Sequence, residues 1–221
     1  MKRLVTEWPV VQVGRSVLLV LLLVPVFCLA ENLPLAVKDR VEDQYGRLGL
    51  ARIDKWERMM WDLVYKSQKE QLLAVNLFFN KLEFRSDLEH WQQEDYWATP
   101  IETLASNGGD CEDFAIAKYF SLRRLGVPAE KMRITYVKAL ELNEPHMVLT
   151  YYSDNGDPLV LDILTNRIKP AEQRKDLLPV YSFNAEGLWK GRHRNESVRL
   201  GDSNDIPMWR DLQQRLGMGP L

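Results

Sequence analysis

The chain has 221 residues, is 46% hydrophobic and 27% charged, and carries a formal net charge of −2. This is globular composition on the scale of one domain. A slightly acidic balance, with no basic run and no interleaving of basic and aromatic residues, excludes a nucleic-acid-binding protein.

The first thirty residues stand apart. Lys2, Arg3 and Arg15 precede an apolar run from Val17 to Leu29, and Cys28-Leu29-Ala30 supplies a small-x-small cleavage pattern. Residues 1–30 therefore read as a secretory signal peptide, and 31–221 as a single exported domain. The run is short of the roughly 20 apolar residues a membrane span needs; an uncleaved anchor is the alternative. Bulky Phe27 argues against Cys28 as a lipid-attachment site. Three basic residues against Glu7 make this segment +2, so the remainder carries −4. Once it is removed, Cys111 is the only cysteine, and no internal disulfide can form. Exported compartments favour disulfides, so a single retained thiol is either buried and inert or kept for its reactivity.

Apolar residues at helical spacing (Val41, Tyr45, Leu48, then Ile53, Trp56, Met60 and Val64) predict a helix over 39–66, with Gly46 and Gly49 as potential breaks. Ser67 and Glu70 form a capping-box pattern ahead of a second helix over 68–82. Residues 84–106 are aromatic-rich and irregular, with Thr99-Pro100 opening a short helix through Leu104. Residues 111–125 return to helical periodicity, and Gly126 and Pro128 stop it. The period then changes: Met132–Leu140, Met147–Tyr152, Leu159–Leu164 and Val180–Phe183 read as strands. A terminal helix runs from Pro207 to Gly217. Helices followed by antiparallel strands define an α+β domain with its helices on one side of the sheet.

The stretch Asn107-Gly108-Gly109-Asp110-Cys111-Glu112-Asp113 carries the chemistry. Glycines permit a close chain approach, and Cys111 falls at a helix start, where unpaired N–H groups and the helix dipole favour thiolate. The alternative is a small buried hydrophobe. A nucleophilic thiol needs a base, and the base an orienting group. His146 follows Pro145 at the start of a strand. His193 lies among Lys190, Arg192 and Arg194, and His90 in an acidic, exposed stretch. Asp162 interrupts an apolar strand, which is costly unless the carboxylate is paired, and His146 is its natural partner. Strand parity tests this: a two-residue Asn155-Gly156 turn pairs 149 with 162 and puts His146 and Asp162 on opposite faces. A triad needs an odd-length loop or a bulge.

Four blocks carry a family resemblance. They are Trp97-Ala98-Thr99-Pro100-Ile101-Glu102-Thr103-Leu104, Gly108-Gly109-Asp110-Cys111-Glu112-Asp113-Phe114-Ala115, Pro145-His146-Met147-Val148-Leu149 and Leu161-Asp162. Together they resemble the bacterial transglutaminase-like cysteine proteinase family, over about residues 35–218. The resemblance implies a papain-like, transglutaminase-like cysteine protease fold with Cys111 as nucleophile, His146 as general base and acid, and Asp162 as orienter. It implies a periplasmic endopeptidase that cuts the N-terminal region of a large surface adhesin, releasing it and dispersing a biofilm. It also implies an inner-membrane cyclic di-GMP receptor whose periplasmic domain sequesters the enzyme.

Asp110, Glu112 and Asp113 oppose ionisation of the neighbouring thiol. They read either as ordinary N-terminal helix acids or as oxygen ligands for Ca²⁺. The family resemblance implies calcium dependence. The Cys111 N–H is the expected oxyanion donor, with the Trp97 indole as a second. Two other functions remain open: a transglutaminase or cell-wall peptide amidase using the same triad, and a non-catalytic exported binding module.

Overall fold

The computed structural model describes residues 32–154, 157–190 and 197–217. The expected signal segment with Cys28, and also His193 and the expected Asn155-Gly156 turn, lie outside the described residues.

Helix α1 (Leu35–Leu63) bends at Gly46, whose φ of 71° is left-handed. Gly49 stays helical and lies close to the Ala105 carbonyl, so a side chain there would meet neighbouring backbone. Helix α2 (Gln68–Phe79) starts on the expected capping box: Ser67 and Glu70 satisfy each other's backbone N–H groups. It stops three residues short of the predicted end. The irregular segment contains a two-residue strand β1 (Glu83–Phe84), a single-turn helix α3 (Asp87–His90) and helix α4 (Pro100–Ser106). Helix α4 opens with Pro100 at its first position behind a Thr99–Glu102 capping box.

Asn107 leaves α4 in the left-handed conformation, at φ 70°. The next two residues form β2 (Gly108–Gly109), which pairs in parallel with β1. A Cβ on Gly108 would collide with the Glu83 carbonyl, so this approach requires glycine. Helix α5 (Cys111–Arg124) follows at once and runs through the core, ending before Gly126 at φ +87°.

The remaining strands are β3 (Met132–Ala139), β4 (Glu144–Tyr151), β5 (Leu159–Leu161), β6 (Lys169–Pro170), β7 (Leu177–Asn184), β8 (Gly187–Lys190) and β9 (Val198–Gly201). They form one antiparallel sheet in the order β6-β5-β4-β3-β7-β8-β9. The sequence reading placed four of these strands, ended β5 three residues too late, began β7 three residues too late, and missed β6, β8 and β9.

One face of the sheet carries the main core. Met147, Leu149, Tyr151 and Leu161 pack with Phe114, Ala115, Leu122, Ile53, Trp56, Phe79 and Trp209. Each large side chain buried there contributes about 1.5–3 kcal/mol. The buried Trp56 indole N–H donates to Ser121 Oγ at 3.0 Å, tying α1 to α5. On the other face Val137, Ala139, Val148, Val160 and Leu177 form a smaller apolar cluster. The last helix, α6 (Pro207–Gly217), buries Trp209 and Leu212. Its Arg215 reaches the irregular segment, where Nη1 donates to Tyr96 Oη at 3.0 Å and Glu102 Oε2 at 2.8 Å, and Nη2 to the Trp97 carbonyl at 2.5 Å.

Candidate active site

Cys111 is the first residue of α5, half-buried and a free thiol. The glycine strand before it is clamped from outside: the Arg85 N–H donates to the Gly109 carbonyl at 2.9 Å. The Met147 backbone N–H, next in the chain after His146, faces the sulfur. The thiol itself donates to Glu112 Oε2 at 3.0 Å.

His146 is 6% exposed and Asp162 1%. Their Nε2 and Oδ1 atoms lie 2.7 Å apart. Strand register accounts for the pairing. Leu149 opposes Leu161 and Tyr151 opposes Leu159, so the connection is odd in length and Asp162 falls on the side of the sheet shared by Val148 and His146. This is the register that the His146–Asp162 pair needs.

Asp162 has further partners. The Leu164 N–H donates to Oδ1 at 3.0 Å, and Arg174 Nη2 donates to Oδ2 at 2.7 Å. Asn80, the cap after α2, donates to the Asp162 carbonyl at 2.8 Å. Burial alone raises this carboxyl's pKa; the bond from His146, its charge, the Leu164 N–H and Arg174 outweigh it and hold the group down at about 2. Lys118, two helical turns after Cys111 on α5 and 1% exposed, is pulled down to about 7 by burial, opposed by the field of Asp162.

The thiol lies in a negative setting. Burial first, then the charge and hydrogen bond of Glu112 and the charge of Asp110, push Cys111 well above its usual value; the Met147 N–H opposes them. Asp110 is pushed up to about 10 by burial, then by Glu112 and Asp113. Asp113, fully buried, is raised by burial and then by the charges of Glu112 and Asp87, against the Ala98 and Asp110 N–H groups. Its oxygens face backbone N–H groups: Oδ1 accepts from Ala98 at 2.7 Å and Oδ2 from Asp110 at 3.4 Å.

Two acids that sequence reading missed join this cluster. Asp87 is buried in α3 and pushed up to about 6 by burial, against the Tyr96 N–H that it accepts at 2.5 Å. Asp95 is raised by burial and Glu112. Ligand oxygens of Asp87, Asp110 and Asp113 lie within 4.8 Å of one another, as do those of Asp87, Asp95 and Glu112. Asp87 Oδ1 and Asp110 Oδ1 are buried without a hydrogen-bond partner. An all-oxygen donor set with orphaned carboxylate oxygens fits a hard divalent cation such as Ca²⁺. Asp87 and Asp95 lie 15 or more residues from Cys111, so no local spacing could reveal them. The only signal was the density of acids between Asp87 and Asp95.

The buried Trp97 side chain lowers the Asp95 pKa against burial, and its ring stacks on Phe183 at 5.5 Å. His90 bonds Ser106 Oγ at 2.8 Å and packs edge-on against Trp91; it is a structural residue rather than an exposed one.

The family model described as bacterial transglutaminase-like cysteine proteinase BTLCP matches residues 54–186. Among solved structures, Legionella pneumophila LapG is 40% identical with a TM-score of 0.69, covering 81% of this chain and 97% of that one. An EGTA-treated form of the same protein gives 40% identity, a TM-score of 0.70 and the same coverage. Its calcium-bound form gives 39% and 0.68, covering 81% of this chain and 98% of that one. No curated protein matches the chain.

Proposed function

The chain belongs to the bacterial transglutaminase-like cysteine proteinase family, and from that premise we propose that it is a calcium-dependent endopeptidase acting through Cys111, His146 and Asp162. The observation that carries the reading is the buried 2.7 Å bond between His146 Nε2 and Asp162 Oδ1, on the strand whose Met147 N–H faces Cys111.

A neutral imidazole that donates Nε2–H to Asp162 leaves Nδ1 as the acceptor. That nitrogen takes the thiol proton, the thiolate attacks the peptide carbonyl, and the imidazolium returns the proton to the leaving amine. Water, deprotonated by the same imidazole, then opens the thioester. Asp162 stays ionised throughout and fixes the ring. The Cys111 N–H at the start of α5 is the oxyanion donor. Asp110, Glu112, Asp87 and Asp95 would hold Ca²⁺, with Asp113 bracing Asp110 from behind. The ion supplies positive charge that offsets the carboxylates crowding the thiol.

The substrate in this reading is the N-terminal region of a large surface adhesin, cut in the periplasm after export through residues 1–30. Its release disperses a biofilm. A cyclic di-GMP receptor of the inner membrane controls the enzyme by sequestering it. Family membership and the calcium-bound relative support this reading.

The test is to incubate the purified protein with the N-terminal segment of the host's own large adhesin, with calcium, with chelator, and with Cys111→Ala. Calcium-dependent cleavage lost in the variant supports the proposal. Cleavage that ignores chelator removes the metal from it. Unchanged cleavage by Cys111→Ala overturns it.

A further inference from the structure

We propose that Arg174 is a positioning residue for the proteolytic centre: its guanidinium occupies one oxygen of Asp162 so that the other is held for His146. The inference rests on the triad reading above. Asp162 offers two equivalent oxygens on a rotatable carboxylate, and only one orientation serves the imidazole. Oδ1 takes His146 Nε2 at 2.7 Å and the Leu164 N–H at 3.0 Å, while Oδ2 takes Arg174 Nη2 at 2.7 Å. With both oxygens engaged from different directions, rotation breaks three bonds at once. Without the guanidinium, Oδ2 is a desolvated anion with no partner.

The guanidinium is itself fixed. Asp176 grips it by two parallel bonds, Nε to Oδ1 at 3.0 Å and Nη2 to Oδ2 at 2.7 Å, the planar fork that arginine forms and lysine does not. Its backbone is pinned between a one-turn helix and β7: the Arg174 N–H bonds Ala171 and its carbonyl accepts from Leu177. Arg174 is 6% exposed, so little water competes for these bonds. The other cation facing Asp162, Lys118, acts on it only through its field. Arg174 touches neither thiol nor imidazole and acts through Asp162 alone.

The test compares Arg174→Met and Arg174→Lys with the unaltered protein, using cleavage kinetics and the ¹H–¹⁵N signal of the His146 Nε2–H proton in ¹⁵N-histidine-labelled protein. The proposal expects kcat to fall about 10- to 100-fold in Arg174→Met with KM within twofold. The downfield Nε2–H signal is lost or displaced, and Arg174→Lys recovers part of both. A kcat within twofold of the unaltered protein with an unmoved signal overturns it, and so does a kcat loss that only tracks the folded fraction measured by circular dichroism. Should Arg174→Met fail to fold, Asp176→Asn releases the guanidinium without deleting it and must show a smaller change in the same direction; no change overturns the proposal. Cys111→Ala runs alongside. If that variant still cleaves, the protease reading fails by itself, while the imidazole signal continues to report on Arg174.

Discussion

Leu149 stands directly opposite Leu161, and this pairing decides whether His146 and Asp162 can meet. The register puts Asp162 level with Val148, on the side of the sheet that His146 occupies, and the two side chains meet at 2.7 Å. A shift of one residue would turn Asp162 into the opposite face.

Asp162→Asn keeps the shape of the side chain and removes its charge. The amide can present its NH₂ to the imidazole and select the wrong tautomer. We expect kcat to fall by roughly 10² to 10⁴-fold with KM little changed, measured by steady-state cleavage of an adhesin peptide. A loss below tenfold would remove Asp162 from the mechanism.

Calcium should stabilise the fold by holding the α3 segment against the start of α5. At 100 times the dissociation constant, linkage gives about 2.7 kcal/mol. For a domain of this size that is a rise in Tm of roughly 5–10 °C. Chelator should reverse it, and Asp110→Asn or Asp87→Asn should flatten it. Identical melting curves with calcium and with chelator would show that the acids bind no ion.

Lys118 is lowered to about 7 in the fold, chiefly by burial, against an ordinary value near 10.4. The unfolded chain therefore binds more protons than the native one between these values, and the lysine's destabilising effect grows as pH falls through that window. Lys118→Met should melt higher than the unaltered protein at pH 7, and the gap should close as pH approaches 10. A gap that stays constant with pH would refute the assignment.

Gly109→Ala tests the glycine strand. Its Cβ would collide with the Asp113 carboxylate and Cβ. We expect a lower Tm and loss of cleavage, with Cys111 alkylated faster by iodoacetamide as the start of α5 loosens. Wild-type melting and activity would show that Asp113 can move aside without consequence.

The local half of this molecule was legible in the sequence. Ser67 with Glu70 announces α2, Gly126 ends α5, and Cys111, His146 and Asp162 each break the bland pattern around them. Short-range rules suffice for such features because caps and periodicity act within one turn or one strand. What escaped was held by distance or by weak burial. Strand β9 is mostly exposed, so it carries no apolar alternation to read. Asp87 and Asp95 reach Glu112 through folding alone, and Arg174 sits in a polar connection where an arginine attracts no notice. Gly108 and Gly109 carry no side-chain pattern to read, yet they form a clamped strand whose other half lies at Glu83 and Phe84.

Arg215 adds an order of events. The segment that bears Asp95 is fastened at Tyr96, Trp97 and Glu102 by a guanidinium made more than a hundred residues later. A ribosome has finished the thiol, the imidazole and the carboxylate of this protein long before it reaches the residue that ties down the acids beside them. The nascent chain thus carries every reactive group while its acid-bearing segment is still untied, and a chain stopped short of α6 never ties it.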